Sequence, residues 1–172
     1  AWRAQHGLEG GVVDASTKVV DESLANIGAT VMGRNMFGGH PGGWSREKPW
    51  NGWWGEDPPF HHPVFVLTHH PREPLILEGG TTFTFVTNGI EAALQQARVA
   101  ARGKDVSLAG GAKAAQQYLA AGLVDEMEIN LAPTLLGSGE RLFDGLGDDL
   151  HGLELVRTVA APNVVHLKFV RG

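Results

Sequence analysis

Three short stretches of this sequence place small or cationic residues directly after an apolar run. "VMGRNMF" puts Gly33, Arg34 and Asn35 after the first run. "VFVLTHHPR" puts Thr68, His69, His70 and Arg72 after the second, and "VSLAGGAKAAQQYL" puts Gly110, Gly111, Ala112 and Lys113 after the third. These residue types suit anions. Glycine lets the backbone turn sharply and lets a ligand come close to it. A helix N-terminus offers free N–H groups and a partial positive charge, which suits a pyrophosphate. Arg34 adds a forked cation, and the Thr68–His69–His70 corner can meet a further phosphate or a ribose hydroxyl. Each stretch taken alone is an ordinary turn; the three together point to a nucleotide. The chain contains neither GxGxxG nor GxxxxGK[ST], so the Rossmann fingerprint and the P-loop are absent.

Such stretches work only if strands bring them to one edge. Val20, Leu24 and Ile27 recur at helical spacing, predicting a helix over 17–27 that stops at Gly28, and "ATVMG" (29–33) reads as a buried strand. Strands are further predicted at 63–68, 82–86, 105–109 and 124–132. Helices are predicted at 91–101, from the stripe Ile90, Ala93, Leu94, Ala97 and Ala101, and at 112–121, closed by Gly122. "LELVRTV" and "VVHLKFV" form a hairpin across "AAPN". Strands alternating with helices before a strand-rich end predict one α/β domain with a mainly parallel sheet and an antiparallel edge. In such sheets ligands sit beyond the carboxyl ends of the strands, which is where the three stretches fall.

Other residues invite chemistry, each with a plainer role beside it. Trp44, Trp50, Trp53 and Trp54 crowd a glycine- and proline-rich stretch over 38–62. The expectation is an ordered lid, a substrate-pocket wall or a subunit contact, against plain core packing. His61, His62, His69 and His70 bracket one strand; six residues span about 20 Å, so the two pairs cannot share an ion, and no metal is expected. Asp125 and Glu126 point to opposite faces of a strand and read as structural. Asp21 lies beside the apolar stripe of its helix and is the one candidate for proton delivery, its plainer role being a solvated helix carboxylate.

The 172 residues suffice for one well-filled core, and a net charge of −5 with no basic run argues against nucleic acid. No apolar stretch is long enough to span a bilayer and no signal peptide is evident, so a cytoplasmic protein is expected. The absence of cysteine excludes disulfides and thiolate chemistry. Glycine, at 24 residues, occurs in pairs without a period, which argues for many tight turns.

In order, VMGR, VFVLTHHP, AGGAKAAQQYL and "GLVDEMEINLAPTLLGSGERLF" resemble the dihydrofolate reductase-like superfamily, and within it bacterial relatives of the C-terminal reductase domain of the RibD riboflavin enzyme. The resemblance runs from about Thr17 to the C-terminus and is most specific over Gly122–Phe143. It implies a three-layer α/β fold with helices on both faces, and an NADPH-dependent reductase, usually a homodimer, acting on a pterin- or pyrimidine-like ring or a carbonyl compound. Gly33, Arg34 and Asn35 match the family's phosphate corner, and Thr68 and His69 match positions facing the adenosine 2′-phosphate. Gly110 and Gly111 match a glycine pair often joined by a cis peptide, and Ala112, Lys113 and Ala114 open the helix under the pyrophosphate. Met36, Leu67 and His70 flank these corners and complete the expected cofactor set.

Departures from the family pattern bear on the substrate. Met36 stands where dihydrofolate reductase has Thr, and Ala115 where a Tyr lies near the nicotinamide. No carboxylate clearly fills the place of the substrate-binding acid, with Asp14, Asp21 and Glu22 nearby. A true folate reductase is not expected. A deazaflavin or flavin in the same cleft, or a non-catalytic nucleotide-binding dimer, stands as the alternative. The segment LLGSGERLF serves either a neighbouring subunit or the nicotinamide side. The superfamily's first strand, with its SLDG-like turn, has no counterpart in residues 1–16, and the chain does not begin with Met; the expectation is a truncated N-terminus or another segment in that slot.

Overall fold

The computed structural model describes residues 9, 13–39, 42–45, 47, 49–147, 150 and 152–172. The question of the first strand turns on residues 1–16, most of which lie outside that set. The chain divides into two compact units, Ile27–Gln117 and the pair of segments Ala1–Asn26 and Tyr118–Gly172.

The first unit is built on strands β1 (Ile27–Gly33), β2 (Pro63–Leu67), β3 (Leu75–Ile76), β4 (Thr82–Val86) and β5 (Asp105–Gly110), in the order β3-β4-β2-β1-β5. All neighbours are parallel except the short edge strand β3, which runs antiparallel to β4. Sequence periodicity missed β3 because two residues are too few to alternate.

Register puts Met32, Val64, Val66, Phe83 and Phe85 on one face. These side chains and Phe37 form a buried cluster, with Phe37 on the single-turn helix α2 (Arg34–Phe37) at the end of β1. Trp44, Trp50, Trp54 and Phe60 pack against this cluster, so the tryptophan-rich loop supplies the layer on that face. The opposite face is covered by α3 (Ile90–Ala101), which lies against β1, β2 and β5 and buries Ala93, Ala97 and Ala101. Small residues on that stripe let helix and sheet approach closely. Gly28 belongs to this contact and does not stop a helix: a Cβ there would meet the Ala101 carbonyl oxygen at 2.6 Å and Lys104 Cβ at 2.8 Å. The preceding helix ends earlier, at Leu24.

In the second unit, α1 (Ala15–Leu24) starts from a capping box. The Asp14 side chain accepts from the Ser16 backbone N–H at 2.9 Å, and the Thr17 hydroxyl accepts from the Asp14 N–H at 3.1 Å. The helix buries Ser16 and Val19, while Leu24, expected on its apolar stripe, is exposed. Strands β6 (Glu126–Leu131), β7 (Leu153–Ala161) and β8 (Val164–Arg171) form an antiparallel sheet in the order β6-β8-β7. The hairpin therefore belongs to a sheet of its own with β6, and the antiparallel edge of the parallel sheet is β3. One sheet face carries Glu126, Glu128, Arg157, His166 and Lys168, the other Met127, Ile129, Val165, Leu167 and Phe169. The charged face is stitched by Lys168–Glu126 at 2.7 Å and by Arg157, which reaches Glu22 of α1 at 2.6 Å and Glu128 at 3.4 Å. No helix among the described residues is long and apolar enough to cross a membrane.

Candidate nucleotide site

Parallel pairing of β1 with β2 and with β5 brings the three anion-suited stretches of the first unit to the same edge of its sheet. Gly33 closes β1, and a Cβ added there would lie 3.2 Å from Ala114 Cβ and 3.5 Å from both the Gly110 carbonyl oxygen and the Gly111 nitrogen. Glycine eases the close approach of the end of β1 to the turn after β5, since a Cβ there would make Ala114 give way by a few tenths of an ångström. The Gly110–Gly111 peptide is cis, as the resemblance implied. The Gly111 carbonyl accepts from the N–H groups of Ala114 and Ala115 at 3.0 and 3.1 Å, which starts helix α4 (Ala112–Ala120). A Cβ at Gly110 or Gly111 would meet nothing within 4 Å, so the backbone at this helix start faces open space.

The second corner follows β2. The Thr68 N–H donates to the Val86 carbonyl at 3.0 Å, and its hydroxyl accepts from the His70 N–H at 3.1 Å. This side-chain turn ties Thr68 to His70, leaving Thr68 buried and His69 exposed.

Trp44 joins the two corners. Its indole N–H donates to the His70 carbonyl at 2.8 Å, and the Arg34 guanidinium carbon lies 3.8 Å from its ring centroid. The Arg72 guanidinium sits 5.0 Å from the same ring and 5.1 Å from Phe85, and it donates to the Trp50 carbonyl and to Asn51 Oδ1. Burial lowers the pKa of both arginines, and the charge of Arg72 lowers that of Arg34 further. Two cations of one sign share a partly dehydrated place, which an anion would relieve. Gly43, Trp44, Ser45, Pro49, His70, Pro71, Arg72 and Glu73 line an open cleft of about 690 Å³, which shares Trp44, His70 and Arg72 with these corners but does not include Arg34 or the glycine turn.

Gly33, which precedes Arg34, and the Gly110–Gly111 turn, expected from the sequence at one site, lie at the same end of the sheet. Arg72 lies five residues past the end of β2, and its reach back to Trp44 has no local signal in the sequence. Asn35 and Met36 are exposed beside Arg34, and Lys113 is exposed on the first turn of α4. Of the tryptophans, Trp44, Trp50 and Trp54 pack on the core, while Trp53 is 65% exposed with its ring edge-to-face on Trp50 at 4.7 Å.

Of the three carboxylates considered from the sequence, Asp14 caps α1 and Glu22 pairs with Arg157. Asp21 is exposed, so it does not take the inward position considered for it. His61 and His62 lie at the other end of β2 from His69 and His70. His62 Nε2 is 2.8 Å from the Thr30 hydroxyl, and His61 Nδ1 is 2.9 Å from the Gly79 carbonyl. Among the described residues no group of three or more His, Asp or Glu could hold a metal ion.

The family model described as the RibD C-terminal domain matches residues 3–167. No curated protein matches the sequence. Among solved structures, the chain is similar to a protein from Shewanella sp. PV-4 ascribed to riboflavin biosynthesis, with TM-score 0.63 and 21% identity over 95% of this chain and 83% of that one. It is also similar to RibD of Acinetobacter baumannii, with TM-score 0.60 and 18% identity over 95% of this chain and 52% of that one. A diaminohydroxyphosphoribosylaminopyrimidine deaminase/5-amino-6-(5-phosphoribosylamino)uracil reductase from Thermotoga maritima gives TM-score 0.59 and 14% identity, over 97% and 52% of the two chains. The chain thus spans about half the length of the latter two proteins. These likenesses establish a shared fold, and the family match covers nearly the whole sequence: the chain belongs to the RibD C-terminal domain family.

Proposed function

We propose that this chain is an NADPH-dependent reductase of a small heteroaromatic compound, pterin- or pyrimidine-like, or of a carbonyl compound. The observation that carries the reading is the meeting of Gly33, Arg34, the Thr68 corner and the Gly110–Gly111 turn at one end of a parallel sheet. Reductase relatives of the same family support it, among them the Thermotoga maritima protein.

The residues fit the cofactor. Glycines at the start of α4 leave open space beside backbone N–H groups, where a pyrophosphate gains from the helix dipole. Arg34 offers a forked donor to a phosphate monoester, with Thr68, His69 and His70 beside it. Bound NADPH supplies hydride, and the protein supplies position and exclusion of water. Trp53, backed by Trp50, is the most exposed of the four tryptophans and fits the aromatic wall assigned to the substrate.

A cytoplasmic homodimer belongs to the same reading. Leu135 and Leu136 are 103% and 78% exposed in the segment after β6, and a second copy would cover them. Sedimentation at micromolar concentration would contradict that part if it found only monomer.

The cofactor assignment is tested by titrating the protein with NADPH, NADH and an oxidised deazaflavin, followed by tryptophan quenching. Selective NADPH binding is expected, and Arg34→Ala should weaken it by roughly ten- to a hundredfold, the worth of a charged hydrogen-bonded contact. Tight deazaflavin binding without NADPH binding would replace the cofactor, and an unchanged NADPH affinity in Arg34→Ala would remove the phosphate assignment.

A further inference from the structure

We propose that Trp44 is the residue that positions Arg34 for a phosphate monoester, and through it sets preference for the cofactor carrying a 2′-phosphate. The inference rests on the NADPH reading but assigns a role that no motif carries, since Trp44 lies ten residues beyond Arg34 in a glycine-rich loop.

The indole is held on several sides. Its N–H donates to the His70 carbonyl at 2.8 Å, and it meets Phe37 edge-on with ring centroids 5.8 Å apart and Phe85 at 4.9 Å. Phe37 is fully buried and Phe85 nearly so, which anchors the ring to the core. Against this fixed plane the Arg34 guanidinium carbon sits 3.8 Å from the centroid. Cation–π attraction favours such a placement over the ring face, leaving the in-plane N–H edges as the guanidinium's hydrogen-bonding sides.

The plane narrows the rotamers open to the long Arg34 side chain, which lowers the entropy it loses on meeting a phosphate. Arg72 keeps the arrangement closed. Bound to the Trp50 carbonyl and to Asn51 Oδ1, it lies 5.0 Å from the same ring, adding positive potential beside Arg34. The backbone also crowds the site: a Cβ at Gly39 would come within 3.3 Å of Arg34 and 3.1 Å of Trp50.

A wall that merely completes the pocket would affect NADPH and NADH alike, whereas a residue that orients Arg34 affects only the form bearing the 2′-phosphate. The experiment is calorimetric titration of the full chain and its Trp44→Leu and Trp44→Phe variants with NADPH and with NADH. Wild type should prefer NADPH. Trp44→Leu should cut that preference about tenfold by weakening NADPH while leaving NADH within about twofold, and Trp44→Phe should fall between. Circular dichroism checks folding, and if the leucine variant does not fold, the phenylalanine variant carries the test with an expected drop of about threefold.

Equal weakening of both cofactors, or an unchanged preference, overturns the role of Trp44 while leaving the cofactor reading in place. A wild-type protein that binds neither cofactor, or does not prefer NADPH, overturns both.

Discussion

The two units stabilise their sheets by different means. In Ile27–Gln117, strand residues Ala29, Val31, Met32, Val64, Val66 and Phe83 are at most 1% exposed, and aromatic rings pack edge-on across the face that carries Phe37. In the antiparallel sheet, the buried strand residue is polar. His166 is 3% exposed, with Nε2 2.8 Å from the Ser16 hydroxyl and Nδ1 against Asn130 Oδ1. Its apolar residues Met127, Ile129, Leu167 and Phe169 are only half-buried. Dense apolar packing fixes strand ends to within a small tolerance, which a phosphate corner requires. Hydrogen bonds and ion pairs fix orientation at smaller net gain. The candidate site accordingly sits at the end of the densely packed sheet.

Removing an aromatic anchor of the parallel unit should have the largest effect. Phe37→Ala takes away a fully buried ring that touches Trp44, Phe83 and Phe85, and should cost about 3–5 kcal/mol by denaturant unfolding. A loss below about 1 kcal/mol would mean that the face relaxes freely and does not fix the corner. In the antiparallel unit, His166→Ala leaves the buried Ser16 hydroxyl without its ring partner and should cost about 1–3 kcal/mol in the same assay. A larger loss than that of Phe37→Ala would invert the comparison.

The smallest effect separates the units by acid sensitivity. Burial holds the pKa of His62 below its usual 6.5. The unfolded chain therefore takes up the proton first, and the histidine's contribution to stability is intact above about pH 6.5 and falls as the solution is acidified toward the lowered folded value. Glu22 is held below its usual 4.5 mainly by the hydrogen bond from Arg157. Its contribution is present above that value and is lost as pH falls through the lower folded one. Amide exchange should therefore rise in the parallel unit at a higher pH than in the antiparallel one. His62→Gln should flatten the first change and Glu22→Gln the second; coincident changes would remove the distinction.

Much of this was legible in the sequence because buried parallel strands read as continuous apolar runs. β1, β2, β4 and β5, and the helices after β4 and β5, fall within a few residues of expectation. The Arg34 and Gly110–Gly111 corners were legible because glycine and arginine after such a run have few other uses. Gly28 was misread because a helix stop and a close helix–sheet approach ask for the same residue, and only the position of Ala101 decides between them. The separate sheet was not legible either, since pairing of β6 with β8 depends on residues more than thirty positions apart. Nor was the Trp44 bridge: an indole beside Arg34 and Arg72 is held by His70, Phe37 and Phe85, seven to forty-one residues away in the chain.

The central claim is that the Arg34 corner receives a phosphate monoester. Equilibrium titration of wild type and Arg34→Ala with NADPH and NADH tests it most directly. Selective NADPH binding by wild type, lost in the variant while NADH binding is retained, is the predicted result. Equal affinity for the two cofactors in wild type, or an NADPH affinity indifferent to Arg34→Ala, would contradict it.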